Sequence, residues 1–309
     1  MDAKKIFVTG GAGFIGSALV EKLVDLGHEV MVYDNLLRGN KIDHDTMKKI
    51  TFIKGDVRDK DKVILSSSGC DVIFHLAAVL GVDIVADNPV ETMEVETIGM
   101  QHVAEACQVN GIKKVLYAST SGIYGHNAIE QAVTEDIIVD PRTSYAMAKR
   151  YNEIYLGALN EEKGLDAIAL RFFNVYGPKQ DNRMVIPRFI EQAQKGDPIT
   201  VFGNGKQTRD FTWIDDTVDA CISLMEKVSG YHIVNIANEN EGCIEDLAFT
   251  IKKVTESDSE IKYIDAPKKR YDYEVERRVG SSAKLEKLTG SKPSTQLEEG
   301  LMRILKARM

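Results

Sequence analysis

Only four of the 309 residues are cysteines, and Cys70, Cys107, Cys221 and Cys243 are scattered, with no CxxC pair among them. That spacing excludes a disulfide framework and a zinc site, so no metal is expected; it suits reduced thiols packed in a core. No stretch approaches about 18 uninterrupted apolar residues, so the sequence offers no membrane span. A basic excess is missing as well. The net charge of -8 argues against the basic face that nucleic acid requires, while leaving room for a few arginines around an anionic ligand. There is no internal repeat and no low-complexity linker. The apolar run in MDAKKIFVTGG is too short for a signal peptide and reads as a strand start, which points to a cytoplasmic protein.

What remains is a globular composition, 43% hydrophobic and 28% charged, enough for one large domain or two interlocked ones and inconsistent with disorder. In the first half, short β-branched runs alternate with amphipathic segments. Ile6-Phe7-Val8 is followed by glycines and a helix from Ile15 to Leu26, in which Ile15, Leu19, Leu23 and Leu26 recur at helical spacing and Gly27 supplies the stop. Strands follow at Glu29–Tyr33, Thr51–Lys54, Val72–His75 and Lys114–Ala118, with a helical segment at Val90–Val109. Alternation of this kind implies a doubly wound parallel sheet of the Rossmann type, an α/β fold. Past Pro141 come a long helix at Ser144–Lys163, a strand at Ala167–Arg171 and then shorter mixed elements. They suggest a dinucleotide-binding domain over residues 1–173, including the long helix. A smaller α/β substrate domain over 174–309 would interlock with it.

Gly10, Gly13 and Gly16 lie between the first strand and first helix. Without a Cβ there, backbone N–H groups and the helix N-terminus, at Phe14 and Ile15, can approach a pyrophosphate. The other reading is a tight turn with no ligand. The preceding strand, the following helix and Asp34 roughly twenty residues on favour the dinucleotide. A carboxylate at the end of the second strand accepts from the ribose hydroxyls of NAD and repels the 2′-phosphate of NADP, although Arg38 could offset that. Asn35 adjoins Asp34. Asp56 and Val57 suit the adenine edge, and Asp56 serves equally well as a helix N-cap.

Tyr145 and Lys149 stand four apart at the start of the long helix and so share a face. An ammonium there favours phenolate and lowers the phenol pKa, which suits proton removal from an alcohol while hydride leaves the same carbon. YxxxK alone is common on solvated helices. Here Ala118–Gly125 (ASTSGIYG) ends the fifth strand, where open parallel sheets place their sites, and brings hydroxyls to the same chemistry.

GGAGFIG, HLAA at His75–Ala78, STSGIYG, YAMAK, RFFNVYGP at Arg171–Pro178 and VFGNGKQTRDFTWIDD at Val201–Asp216 together resemble the extended short-chain dehydrogenase/reductase family. Within it they resemble the NAD-dependent nucleotide-sugar epimerases and dehydratases. The resemblance implies Tyr145 as catalytic acid/base and Lys149 as its partner and a ligand of the nicotinamide ribose. Thr120 takes the catalytic hydroxyl position, with Ser121 as the alternate. Leu76, Ala77 and Ala78 would line the ribose and phosphate path and Phe173 the nicotinamide. Asn174 and Arg209 would grip a nucleotide diphosphate, with Arg270 or Arg277 closing over it. A surface ion pair between Arg209 and Asp210 is the competing reading.

By the same resemblance, dehydratases follow the catalytic Thr with Asp-Glu and decarboxylases place a Glu two residues after it; here stand Ser121 and Gly122. That favours a UDP-hexose 4-epimerase with tightly bound NAD over a 4,6-dehydratase, decarboxylase or 4-ketoreductase. A non-catalytic NAD sensor or scaffold is the alternative of another class. One departure stands out: the family's usual Asn before xxGT is Glu96 here. The family's habit also implies a homodimer through Val90–Val109 and Ser144–Lys163, whose outer faces carry Met93, Met100, Tyr151 and Tyr155, side chains that fit an intramolecular core equally well. His28 and His44 read as exposed, His75 as packed and hydrogen-bonded, and Trp213 as core.

Overall fold

The computed structural model describes residues 2–79, 82–127, 132–265 and 275–308. Its centre is a seven-stranded parallel sheet. From one edge to the other the strands are Tyr231–Ile236, Asp166–Phe172, Lys114–Thr120, Val72–His75, Lys5–Thr9, Glu29–Asp34 and Thr51–Lys54. Lys5–Thr9 pairs in parallel on both sides, with Ile6 opposite Val30 in one neighbour and Val72 in the other. Strands covered on both faces should be continuous apolar runs. Ile6, Phe7, Val8, Ile73 and Phe74 accordingly have no exposed surface.

The chain divides into two compact units: Met1–Ile123 with Pro141–Arg171 and Val218–Val234, and Tyr124–Asp140 with Phe172–Thr217 and Asn235–Met309. The sequence pattern suggests a single cut after residue 173. Two excursions differ from that picture. Val218–Val234 returns to the first unit because most of the edge strand Tyr231–Ile236 lies in it, and Tyr124–Asp140 leaves because Tyr124 and Val133 pack with Phe173 and Ala237 in the second. Neither excursion has a local signature, since each depends on contacts with residues distant along the chain.

In the first unit the helices Pro89–Asn110 and Ser144–Lys163 pack side by side. Each ends on a left-handed glycine, Gly111 and Gly164, where an L side chain would be strained. Their buried stripes include Glu96, Gly99, Met100, Val103 and Cys107 on one and Lys149, Asn152, Glu153 and Leu156 on the other. Met100 is therefore core, whereas Met93 and Tyr151 are exposed and Tyr151 stacks on Tyr155. His28 is also buried rather than exposed: its Nδ1 accepts the Lys4 N–H at 3.1 Å, and burial lowers its pKa.

Among the described residues the second unit has three small sheets. Val175–Tyr176 pairs with Thr212–Trp213, Ile199–Phe202 with Ile261–Ile264, and Thr208–Asp210 lies between Glu241–Cys243 and Arg277–Arg278. The helices Val185–Lys195, Ile244–Val254, Ala283–Thr289 and Leu297–Arg308 complete it. Trp213 is buried, edge-on to Tyr176, with its Nε1 donating to Asp215.

Candidate active site

Strand order reverses between Lys5–Thr9 and Val72–His75, whose chain continuations run in opposite directions across the sheet. A crevice at such a point is where open α/β sheets bind ligands. The two segments leaving those strands are the glycine turn and Leu76–Ala78. Gly10 has φ +69°, and a Cβ on it would lie 2.6 Å from the Ala77 nitrogen. A Cβ on Gly16 would collide with the carbonyl oxygen of Gly10. The helix Phe14–Asp25 starts from Gly13 with no side-chain cap, so its first amides point at the turn's open side.

Asp34 braces this cradle. One carboxylate oxygen accepts from the Ala12 N–H at 3.0 Å and the other from the Leu36 N–H at 2.7 Å. Burial raises its pKa, with those amides opposing. Thr9 links the two strand ends: its hydroxyl meets His75 Nδ1 at 2.7 Å and accepts the Ala77 N–H at 3.3 Å. Asp56 is not a helix cap; that role belongs to Asp59. Its carboxylate forks onto Arg58 at 3.0 and 2.8 Å, which lowers its pKa, while Val57 is buried against Gly99. Asn35 accepts the Leu37 N–H. Glycines without room for a Cβ, uncapped amides and a carboxylate at the strand end fit the pyrophosphate and ribose of a dinucleotide.

The long helix carries Tyr145 and Lys149. Thr143 caps it, accepting from the Ala146 N–H, and this fixes where Tyr145 and Lys149 begin. The Tyr145 hydroxyl bonds to Thr120 at the end of Lys114–Thr120. Thr120 also accepts the Gly122 N–H at 3.0 Å. Ser121 is buried at the head of the short turn Ser121–Tyr124, so Thr120 is the hydroxyl the structure joins to the phenol. The Lys149 ammonium lies 5.3 Å from the Tyr145 ring centre and 4.7 Å from that of Tyr117.

One sequence expectation requires correction. Lys149 does not act on the phenol alone, because its ammonium sits 2.9 Å from the Glu96 carboxylate and both side chains are fully buried. The phenol pKa is raised, first by burial and then by Glu96, with the Thr120 bond opposing. The sequence marks Glu96 only as a departure from Asn. Its signal was positional, a charge on the same buried stripe as Met100 and Val103. Behind it a second buried pair clamps the helix. Glu153 accepts Arg171 Nε and Nη2, both at 2.9 Å, and the Ser119 hydroxyl at 2.7 Å. His75 stacks on Tyr117 and is held neutral, its pKa pushed down to about 3 by burial and by Lys149.

In the second unit Arg209 donates to the carbonyls of Thr208 and Val275, both at 2.8 Å. It does not pair with Asp210, which is buried and accepts the N–H groups of Asn238, Glu239 and Gly280. Arg277 forks onto Glu241 at 2.9 and 2.8 Å, so its guanidinium is already engaged. Its neighbour Arg278, which the sequence reading did not single out, is in register with Arg209. Asn174 is half-buried, its carbonyl accepting the Thr212 N–H. Phe173 is core, packed with Tyr124, Val133 and Ala237 beneath Gly280. Arg270 lies outside the described residues. Among the described residues there is no grouping of His, Cys, Asp and Glu that could hold a metal, and no helix is long and apolar enough to cross a membrane.

Fold and glycine cradle together define an α/β protein of the dinucleotide-binding class. The chain belongs to the NAD dependent epimerase/dehydratase family, whose model matches residues 6–237. It is 37% identical to a UDP-N-acetyl-alpha-D-glucosaminuronate decarboxylase of Bacillus cytotoxicus, over 96% of this chain and 95% of the relative. In structure it is similar to the UDP-glucose 4-epimerase of Thermotoga maritima with UDP-glucose, at TM-score 0.91 and 32% identity, covering 98% and 97% of the two chains. It is also similar to the NAD complex of UDP-glucose 4-epimerase from Thermus thermophilus, at TM-score 0.89 and 30% identity over 98% of each chain.

Proposed function

We propose that the chain is a nucleotide-sugar 4-epimerase that works with NAD held in the glycine cradle. The observation that carries this reading is the Thr120–Tyr145–Lys149 arrangement with Gly122 beside it. Tyr145 takes the proton of the sugar C4 hydroxyl, whose oxygen Thr120 holds, and returns a proton when the hydroxyl re-forms. NAD supplies the place where hydride is held between leaving one face of C4 and rejoining the other. The cradle at Gly10, Gly13, Gly16 and Asp34 binds the dinucleotide, and Leu76–Ala78 lies beside it. Gly122 has no proton to give or take, so elimination lacks an acid/base at that position. Arg209 and Arg278, in register on neighbouring strands, suit the diphosphate of a UDP-linked hexose, because guanidinium forks match phosphate oxygens. The exposed Met93 and Tyr151 on the paired helices support a homodimer.

A second reading, decarboxylation of a UDP-linked uronic acid, is favoured by the relative at 37% identity. It shares oxidation at C4 and differs in losing the carboxylate from the keto sugar. Incubating the protein with UDP-hexoses, UDP-N-acetylhexosamines and UDP-uronic acids separates the two. A C4 epimer without carbon dioxide supports the first, and carbon dioxide with a pentose product replaces it with the second. If no sugar is turned over and Tyr145→Phe leaves function in the cell intact, a non-catalytic NAD-binding role takes the place of both.

A further inference from the structure

Glu96 is an unusual neighbour for a catalytic lysine. Its carboxylate has no exposure, and it joins three separate elements. It lies 2.9 Å from the Lys149 ammonium on the helix Ser144–Lys163 and accepts the Tyr117 hydroxyl at 3.3 Å from the strand Lys114–Thr120. The backbone N–H of Val79, just past the Leu76–Ala78 segment that flanks the glycine cradle, also favours its charged form. Asn152 secures the joint, donating to the Glu96 carbonyl at 3.0 Å and to the Tyr117 oxygen at 2.7 Å. A charge buried this deeply is held only by a good partner, so the two side chains fix each other.

We propose that Glu96 is a positioning residue that, as counter-ion to Lys149, sets how much of the ammonium's charge reaches the Tyr145 hydroxyl. The inference rests on the Tyr–Lys reading above. A free ammonium below a phenol favours the phenolate, and a carboxylate at 2.9 Å from that ammonium cancels most of the effect at the distance of the ring. The other charged or titratable groups around the pair are Tyr117, neutral His75, and Glu153 with its Arg171 partner. None of these is an unpaired charge that could substitute for Glu96. The phenol therefore depends on what binds next to it: positive charge brought by the oxidised nicotinamide becomes the main pull toward phenolate. Proton removal is thereby tied to occupancy of the cradle.

The test compares the protein with Glu96→Gln, which keeps the shape and the hydrogen-bonding oxygen and loses the charge. Ionisation of Tyr145 is read by ultraviolet difference titration against Tyr145→Phe on each background, with NAD bound. The expected result is a midpoint lower by about one pH unit in Glu96→Gln, together with the same displacement of the acid limb of kcat. If Glu96→Gln fails to fold, Glu96→Asp draws the charge back by one methylene, and a smaller displacement in the same direction is expected. An unmoved midpoint in whichever variant folds, or no ionisation in either protein, overturns the proposal. A purely structural role lowers the melting temperature without moving the midpoint. Because the titration needs no sugar, it stands even if the activity assigned above is wrong; that failure appears separately, as no turnover in the unaltered protein.

Discussion

Tyr145 has a partner on each side, Thr120 at its hydroxyl and Lys149 below its ring. Removing the hydroxyl alone, with Tyr145→Phe, should lower kcat by about 10²–10⁴-fold and leave NAD content unchanged. Sugar-conversion assays and absorbance of the bound dinucleotide check this, and loss of NAD along with activity would reassign Tyr145 to binding. Asp210 shows the same physics in another place. Burial pushes its pKa up to about 6 from 3.8, against the three backbone amides that favour its charge. A carboxyl raised on folding stabilises fully below its unfolded value and loses that contribution as pH rises through the folded one. Between about pH 4 and 6, stability should therefore fall relative to Asp210→Asn, by about 3 kcal/mol across the window. Thermal unfolding of both proteins over that range measures it, and parallel curves would refute it.

At the scale of elements, the decisive contacts are those that hold the long helix and the glycine turn. Glu153, Arg171 and Ser119 join the helix Ser144–Lys163 to the strands Asp166–Phe172 and Lys114–Thr120 with no exposed atom in the Glu153 side chain. Arg171→Met leaves that carboxylate buried with Arg150 and Ser119 and without its main partner. A loss of about 3–5 kcal/mol in urea unfolding is expected; a loss below 1 kcal/mol would show that Arg150 and Ser119 suffice. At the turn, Gly16→Ala pushes a methyl into the Gly10 carbonyl, and Gly10 cannot retreat because Leu76 and Ala77 lie behind it. The helix must move off the cradle, so the variant should purify without NAD while losing about 1–3 kcal/mol of stability. NAD content after purification decides the point.

For the whole molecule, two units are wound from one chain that crosses between them repeatedly. Cutting it after residue 173 should not give two folding halves, because the edge strand Tyr231–Ile236 completes the sheet from beyond the cut. Expression of residues 1–173 is expected to yield aggregated protein, as an unpaired central-sheet edge invites association; a soluble, NAD-binding fragment would show otherwise. The exposed Met93 and Tyr151 lie on the two paired helices. Light scattering should report twice the mass of one chain, shifting toward a single chain on Tyr151→Glu.

The doubly wound parallel sheet, the glycine turn, Asp34 at the end of the second strand and the Tyr–Lys spacing were readable from residue order, whereas the edge strand Tyr231–Ile236 was placed in the sheet only by folding. Local periodicity and short motifs encode strands, helices and the turn that only glycine permits. Three things depended on distance in sequence but closeness in space: Lys149 neutralised by Glu96, Arg277 taken by Glu241 while Arg278 lines up with Arg209, and Phe173 and Met100 turned inward. Charge pairing and burial are properties of neighbours brought together by folding, and the paired residues Glu96–Lys149, Glu241–Arg277 and Arg209–Arg278 come from 36 to 69 positions apart along the chain. Spacing shows that a lysine stands one helical turn from a tyrosine; only the packed structure shows which carboxylate competes for it.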